Sequence, residues 1–266
     1  MLAKGLGDYV RLGSTLDDAI GEAFDKVARM LDLPWSVDGL ACSPGAALEA
    51  LAASGDPSRV FPPLPIPMRK PEHRTHCDFS FAGLKTAVKR RVEDLGHDQS
   101  GRADLAAAFQ VAAVTHITDR LDRGLEWCQP GSGRPWTAET APHCLVLSGG
   151  VASNTALREA IASLGHDRAH RLELICPPPS LCRDNAVMIA WTAIEYAEAA
   201  KFRAVGKPTV AREDNEHPYE AQVRARWPLG DDYRDLEAAD LEAAARELAP
   251  PTCRQHLPSC KLQTEN

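Results

Sequence analysis

Apolar residues recur at helical spacing in two long stretches of the chain. Over residues 14–33, Leu16, Ala19, Ile20, Ala23, Val27, Met30 and Leu31 fall on one face. That pattern predicts an amphipathic helix. Ser14 stands ahead of it as an N-cap, with Asp17 three residues later in a capping-box variant. Over residues 103–127, Leu105, Phe109, Ala112, Ala113, Ile117, Leu121 and Leu125 form a second, longer stripe. Residues 46–54 read as a short helix, and five prolines in 60–73 predict an extended surface loop. Residues 78–85 alternate apolar and polar, as a strand does, and 86–95 continue as a helix. Lys85, Lys89, Arg90 and Arg91 form a dense basic cluster there, which by itself reads as a solvated helix face.

The second half of the chain alternates strands with helices. Leu145, Val146 and Leu147 make a short buried strand, followed by Ser148-Gly149-Gly150 and a helix over 155–164. Residues 172–176 form the next strand, which stops at Pro177-Pro178-Pro179. Asp184-Asn185-Ala186 then opens an apolar helix through 200. Alternation of this kind predicts an α/β architecture. Residues 8–13 read as a strand remnant with no partner strand before it. From about 230 the composition turns acidic and Ala-rich, with a helix candidate over 231–248 and no core-forming pattern over 250–266. The expected organisation is one domain over 1–229 and an acidic, disordered tail over 230–266.

The strand–glycine–helix stretch is the first candidate for chemistry. Gly149 and Gly150 permit backbone conformations and close approaches that a β-carbon forbids. The helix that follows directs its N–H groups and positive dipole end at whatever lies above the turn. The arrangement is a phosphate or nucleotide cradle, with the amide of Asn154 at its mouth.

Composition narrows the class. The chain has 266 residues, 44% of them hydrophobic, and a formal net charge of −7. The charge excludes a bulk electrostatic nucleic-acid binder but leaves room for one local basic patch. No apolar run approaches the ~20 residues that span a bilayer. The eight cysteines form no C-x-x-C pair, so they signal neither a zinc site nor a disulfide framework and read as reduced thiols.

Four stretches stand in order: L-D-D-A-I-G-E-A-F-D-K from Leu16, D-F-S-F-A-G-L-K-T-A-V from Asp78, S-G-G-V-A-S-N from Ser148, and L-C-R-D-N-A from Leu181. Together they closely resemble the tRNA N6-adenosine threonylcarbamoyltransferase family, in its bacterial and mitochondrial form. The resemblance covers about residues 5–229. It implies the actin-like ATPase and sugar-kinase fold, here the second lobe plus the end of the first. It implies transfer of a threonylcarbamoyl group from threonylcarbamoyl-AMP to N6 of adenosine 37 in tRNAs reading codons that start with A. It implies tRNA as partner, a homodimer or partner subunits, no membrane, and a mitochondrial location with the cytoplasm as alternative.

Carried over residue by residue, the nucleotide-contacting Asp falls on Asp25. The turn glycine falls on Gly45 and the position four later on Glu49. The glycine turn falls on Gly149 and Gly150, its Asn on Asn154, and the metal-binding Asp on Asp184. The implied cofactor is one divalent metal ion, with iron, zinc and magnesium not distinguished. No residue is singled out as a catalytic acid or base.

The chain also departs from the family. The family's H-x-x-x-H metal pair and its second Ser-Gly-Gly-His-Thr turn are not present. The H-x-x-x-H of His166 and His170 lies between the 155–164 helix and the next strand, where it does not match the family's pair. Residues 36–43 look like an insertion ahead of Gly45. The departures predict a form that is weakly active or inactive alone. One alternative is a non-catalytic lobe that serves as an interaction or dimerisation module through an exposed apolar face of 14–33. Another is a sugar-kinase-like phosphotransferase.

Overall fold

The computed structural model describes residues 1–33, 36–37, 40–41, 43–95, 98–130, 132, 141–167, 172–178, 181–182, 185–199 and 230–232. Strand β1 (Leu2–Gly5) turns at Gly7 into β2 (Asp8–Arg11) as an antiparallel hairpin, with Leu2 opposite Val10. So the strand remnant at 8–13 does have a partner before it. On its other edge β2 pairs in parallel with Asp231–Asp232, and Arg11 meets Asp232 at 2.8 Å. The helix expected from 231 therefore does not begin there; residues beyond 232 lie outside the described ones.

Helix α1 covers Ile20–Met30, shorter than the 14–33 expected. Residues 14–19 are pinned elsewhere. Phe79 N–H donates to the Ser14 carbonyl and Leu16 N–H to the Phe79 carbonyl, both at 2.9 Å. A β-carbon at Gly13 would lie 2.3 Å from the Cys77 carbonyl oxygen, so only glycine lets the two segments run this close. Leu16 consequently points outward at 62% exposure rather than joining the α1 stripe.

After α1, β3 (Ser36–Val37) and β4 (Leu40–Ala41) pair antiparallel, so the 36–43 insertion carries a small hairpin. Helix α2 covers Pro44–Ala52. It starts two residues before the 46–54 expectation because Ser43 accepts from Ala46 N–H and Pro44 takes the first helical position. The 78–85 stretch is no strand. Phe79 makes only an isolated bridge with Thr15, and helix α3 begins at Ala82 and runs to Leu95. Helix α4 (Gln99–Trp127) has 29 residues, about 44 Å at 1.5 Å per residue.

Helices α1 to α4 enclose the main core. Ala23, Phe24, Val27, Ala28 and Leu31 of α1 pack with Leu48, Leu84, Val88, Leu105 and Phe109. The rings of Phe24 and Phe109 meet edge to face at 5.1 Å. The apolar face of α1 is thus buried, which corrects the expectation that 14–33 exposes an interface.

Against the core lies a β–α–β unit. Strand β5 (Cys144–Val146), a 3-10 turn (Gly150–Ser153), α5 (Thr155–Asp167) and β6 (Glu173–Ile175) follow in order, with β5 and β6 parallel. Helix α6 (Ala186–Glu198) follows β6. Val187, Ile189, Trp191 and Ile194 are each more than half exposed. The exposed apolar helix is α6, not α1.

Candidate functional site

The glycine turn sits where α1, α2, α4 and α5 converge. Helix α1 offers Gly21 and Asp25, one turn apart and so on one face. Helix α2 offers Gly45 and Glu49 at the same spacing. A β-carbon at Gly21 would lie 3.5 Å from Val151 Cγ2 in the 3-10 turn. One at Gly45 would lie 3.8 Å from Asp25 Oδ1 and 3.7 Å from Phe24 Cβ. These are ordinary van der Waals distances, and they place α1 beside the turn and α2 beside the Asp25 carboxylate.

Gly149 holds φ +99° and ψ 168°, a region that only glycine occupies without strain. Gly149 and Gly150 are exposed, and nothing lies within 4 Å of where a β-carbon would stand on either. The turn therefore presents bare backbone to solvent.

The N-terminus of α5 differs from the sequence expectation. Thr155 N–H donates to Glu49 Oε1 at 2.7 Å, and Leu157 N–H donates to Asn154 Oδ1 at 2.9 Å. Two of the N–H groups that an anion would use are already taken by this chain. Asn154 is only 4% exposed, and its Nδ2 donates to Gln110 Oε1 on α4 at 3.1 Å. Its amide joins α5 to α4 rather than standing at an open mouth.

Asp25, Gly45, Glu49, Gly149, Gly150 and Asn154 are thus gathered around one junction. Asp184 lies outside the described residues. Among the described residues no group of three or more His, Cys, Asp or Glu side chains is placed to hold a metal ion. The side chain of His166 and all of His170 are likewise outside the description.

The D-F-S-F stretch has a structural role that its alternation did not reveal. Asp17 Oδ1 accepts from Phe81 N–H at 2.8 Å and Ala82 N–H at 3.3 Å, while Oδ2 accepts from Ser80 Oγ at 2.5 Å. Asp17 therefore caps α3, not the helix of its own segment. These bonds outweigh partial desolvation and hold its carboxyl below the usual range. His116 on α4 is fully buried and its Nε2 accepts from Ser80 N–H at 3.2 Å. The rings of Phe79 and Phe81 stand edge-on to it at 5.8 and 5.4 Å. Burial, with help from Arg120, pulls its pKa down to about 4.

The basic cluster is divided. Lys85 pairs with Asp18, which also meets Lys26 at 2.9 Å. Arg91 donates to the carbonyls of Phe61 and Pro62 at 3.2 and 2.8 Å. Lys89 and Arg90 are exposed.

A sequence profile of the family described as tRNA N6-adenosine threonylcarbamoyltransferase matches residues 1–191. A protein of Arabidopsis thaliana named probable tRNA N6-adenosine threonylcarbamoyltransferase, mitochondrial, is 38% identical over 245 residues, covering 88% of this chain and 46% of the relative. A Bartonella bacilliformis protein named tRNA N6-adenosine threonylcarbamoyltransferase is 38% identical over 230 residues, 86% of this chain and 56% of the relative. One of the same name from Paramagnetospirillum magneticum is 44% identical over 197 residues, 73% and 51% respectively. The chain spans about half the length of these curated relatives.

Proposed function

The chain belongs to the tRNA N6-adenosine threonylcarbamoyltransferase family, and we propose that its glycine-turn junction binds the adenylate end of threonylcarbamoyl-AMP. The observation that carries this is the meeting of Asp25, Gly45 and Glu49 where α5 begins, just after the exposed Gly149–Gly150 turn. The overall architecture on this reading is the actin-like ATPase and sugar-kinase fold.

The chemistry sets an orientation. The adenylate has an anionic phosphate and two ribose hydroxyls. Asp25 and Glu49 repel the phosphate and accept from hydroxyls. The phosphate then belongs over Gly149 and Gly150, whose N–H groups no β-carbon shields. In the transfer itself, the lone pair of N6 on adenosine 37 attacks the carbamoyl carbon. The carbon–oxygen bond to phosphate breaks, AMP leaves with that electron pair, and N6 releases a proton. This junction orients the donor. None of its groups is assigned the proton.

The family's metal would polarise the transferred group as a Lewis acid. Among the described residues no group is placed to hold it. We infer that this form modifies tRNA weakly or not at all on its own. The tRNA set reading A-starting codons and a homodimer or partner subunit belong to the same proposal. So does a mitochondrial location, which the name of the Arabidopsis relative supports. No described helix is long and apolar enough to cross a membrane.

The test is calorimetry with AMP, followed by tRNA modification with threonylcarbamoyl-AMP read by nucleoside mass spectrometry. AMP binding with slower modification than a full-length relative is expected. Absence of AMP binding would replace this reading with the interaction-module one. Turnover equal to the relative's would overturn the weakness.

A further inference from the structure

Arg158 sits on α5, one turn past the glycine turn, and reaches two separate loops. Its Nε donates to the Ala152 carbonyl inside the 3-10 turn. Its Nη2 donates to the Pro177 carbonyl at 3.2 Å and lies 3.6 Å from Cys182 Sγ, both in the loop after β6. Cys182 is 3% exposed, and its thiol donates to the same Pro177 carbonyl at 3.5 Å. Leu181 N–H closes that loop on the Pro178 carbonyl at 2.8 Å. One guanidinium thus joins the S-G-G-V-A-S-N turn to the loop that carries Leu181 and Cys182.

We propose that Arg158 is a positioning residue that couples these two loops, so that the glycine turn keeps its place only while the loop after β6 keeps its own. The proposal rests on the adenylate reading for its functional meaning and on geometry for the coupling. The planar fork is what the task requires. It directs N–H groups along divergent directions from a rigid plane, whereas an ammonium is a single point charge. Arg158 does not act on the adenylate by its charge. Its contacts on the turn side and the loop side are carbonyls and a thiol, which set position.

Two variants separate position from charge. Arg158→Met removes both; Arg158→Lys keeps the charge and loses the span. Both are expected to speed hydrogen exchange at the amides of 152–157 roughly tenfold, the scale of one lost charge-assisted hydrogen bond. Both should also speed alkylation of Cys182 by iodoacetamide, followed on its own peptide by mass spectrometry. Exchange in α1 and α4 should stay at the wild-type rate. Restoration by Arg158→Lys, or a response in only one of the two loops, would overturn the coupling. Should the arginine variants not fold, Cys182→Ala perturbs the far side instead. Faster exchange at 152–157 in that variant supports the coupling; an unchanged turn refutes it.

AMP calorimetry forms the second arm. Wild type that binds AMP and Arg158→Met that binds it several-fold more weakly support the positioning role. Equal affinity in the two overturns it. Wild type without AMP binding defeats the adenylate reading, while the exchange and alkylation results still decide the coupling.

Discussion

Replacing His116 with glutamine tests whether the D-F-S-F knot is held by a neutral imidazole. His116 is fully buried, accepts from Ser80 N–H through Nε2, and has its pKa drawn down to about 4 from an ordinary 6.5. A lowered pKa in the folded state means that the unfolded chain binds the proton more readily. Stability from this group is therefore complete above pH ~6.5 and declines as pH falls toward 4. Between pH 7.5 and 4.5 the loss comes to about 2.5 kcal/mol, from a shift of roughly 2.5 units at 1.36 kcal/mol each, less the part not yet titrated. His116→Gln keeps an acceptor for Ser80 N–H but cannot titrate. Urea unfolding by circular dichroism at pH 7.5, 6.5, 5.5 and 4.5 gives both curves. At pH 7.5 the variant should be the less stable, by about 1–3 kcal/mol, because the imidazole no longer fills its place between Phe79 and Phe81. Wild-type stability minus that of the variant should then fall by about 2.5 kcal/mol as pH drops to 4.5, closing the gap or reversing it. A gap unchanged within ~0.5 kcal/mol across that range would refute a buried neutral His116 as the source of acid sensitivity.

Three further outcomes are expected. Asp17→Ala should cost about 1–2 kcal/mol by urea unfolding, since it uncaps α3 and frees Ser80, with Asp17→Asn intermediate; equal stability of all three proteins would contradict the cross-chain cap. Gly149→Ala forces a side chain into φ +99° and should lower stability by roughly 1–3 kcal/mol while abolishing AMP binding by calorimetry. Trp191→Lys should leave the melting temperature unchanged, since Trp191 is 64% exposed, and should reduce concentration-dependent association in light scattering; a lower melting temperature would mean that Trp191 itself packs on something.

Long periodic stretches were readable because their packing follows the 3.6 period. The α4 stripe of Leu105, Phe109, Ala112 and Ala113 is buried as the spacing requires. The β5–turn–α5–β6 order was equally legible, with boundaries to within three residues. Failures fell where a side chain from elsewhere in the chain competes with local pattern. Leu16 matches the α1 stripe, yet its backbone is claimed by Phe79 and its side chain faces out. The alternation of 78–85 imitates a strand, but the N–H groups of Ser80, Phe81 and Ala82 go to His116 and Asp17. His116 itself sits seven residues after Phe109 on the apolar stripe of α4, and that position was the available signal. Asp25, Gly45, Glu49 and Asn154 lie near one another in the structure, while Asp184 is outside the described residues. Arg158, four residues after Asn154, was passed over because nothing local shows that its two carbonyl partners lie in different loops.

The same competition explains which backbone remains for a ligand. Asp17 is a capping residue by type, and it caps, but the helix it serves lies 65 residues on. Glu49 reads as a polar residue in the interior of α2, and its carboxylate sits on the first N–H of α5. A carboxylate there complements the helix dipole by about 0.3–1 kcal/mol and fills the position that a phosphate would otherwise take. Asn154 satisfies the N–H two residues further on. With these two N–H groups engaged inside the chain, the helix terminus has fewer donors left for an anion unless Glu49 withdraws. The exposed backbone is one step earlier, at Gly149 and Gly150, whose carbonyls take Ala152 N–H and Ser153 Oγ and whose β-carbon positions are open. On the adenylate proposal, the phosphate therefore belongs over the turn and not at the helix that follows it.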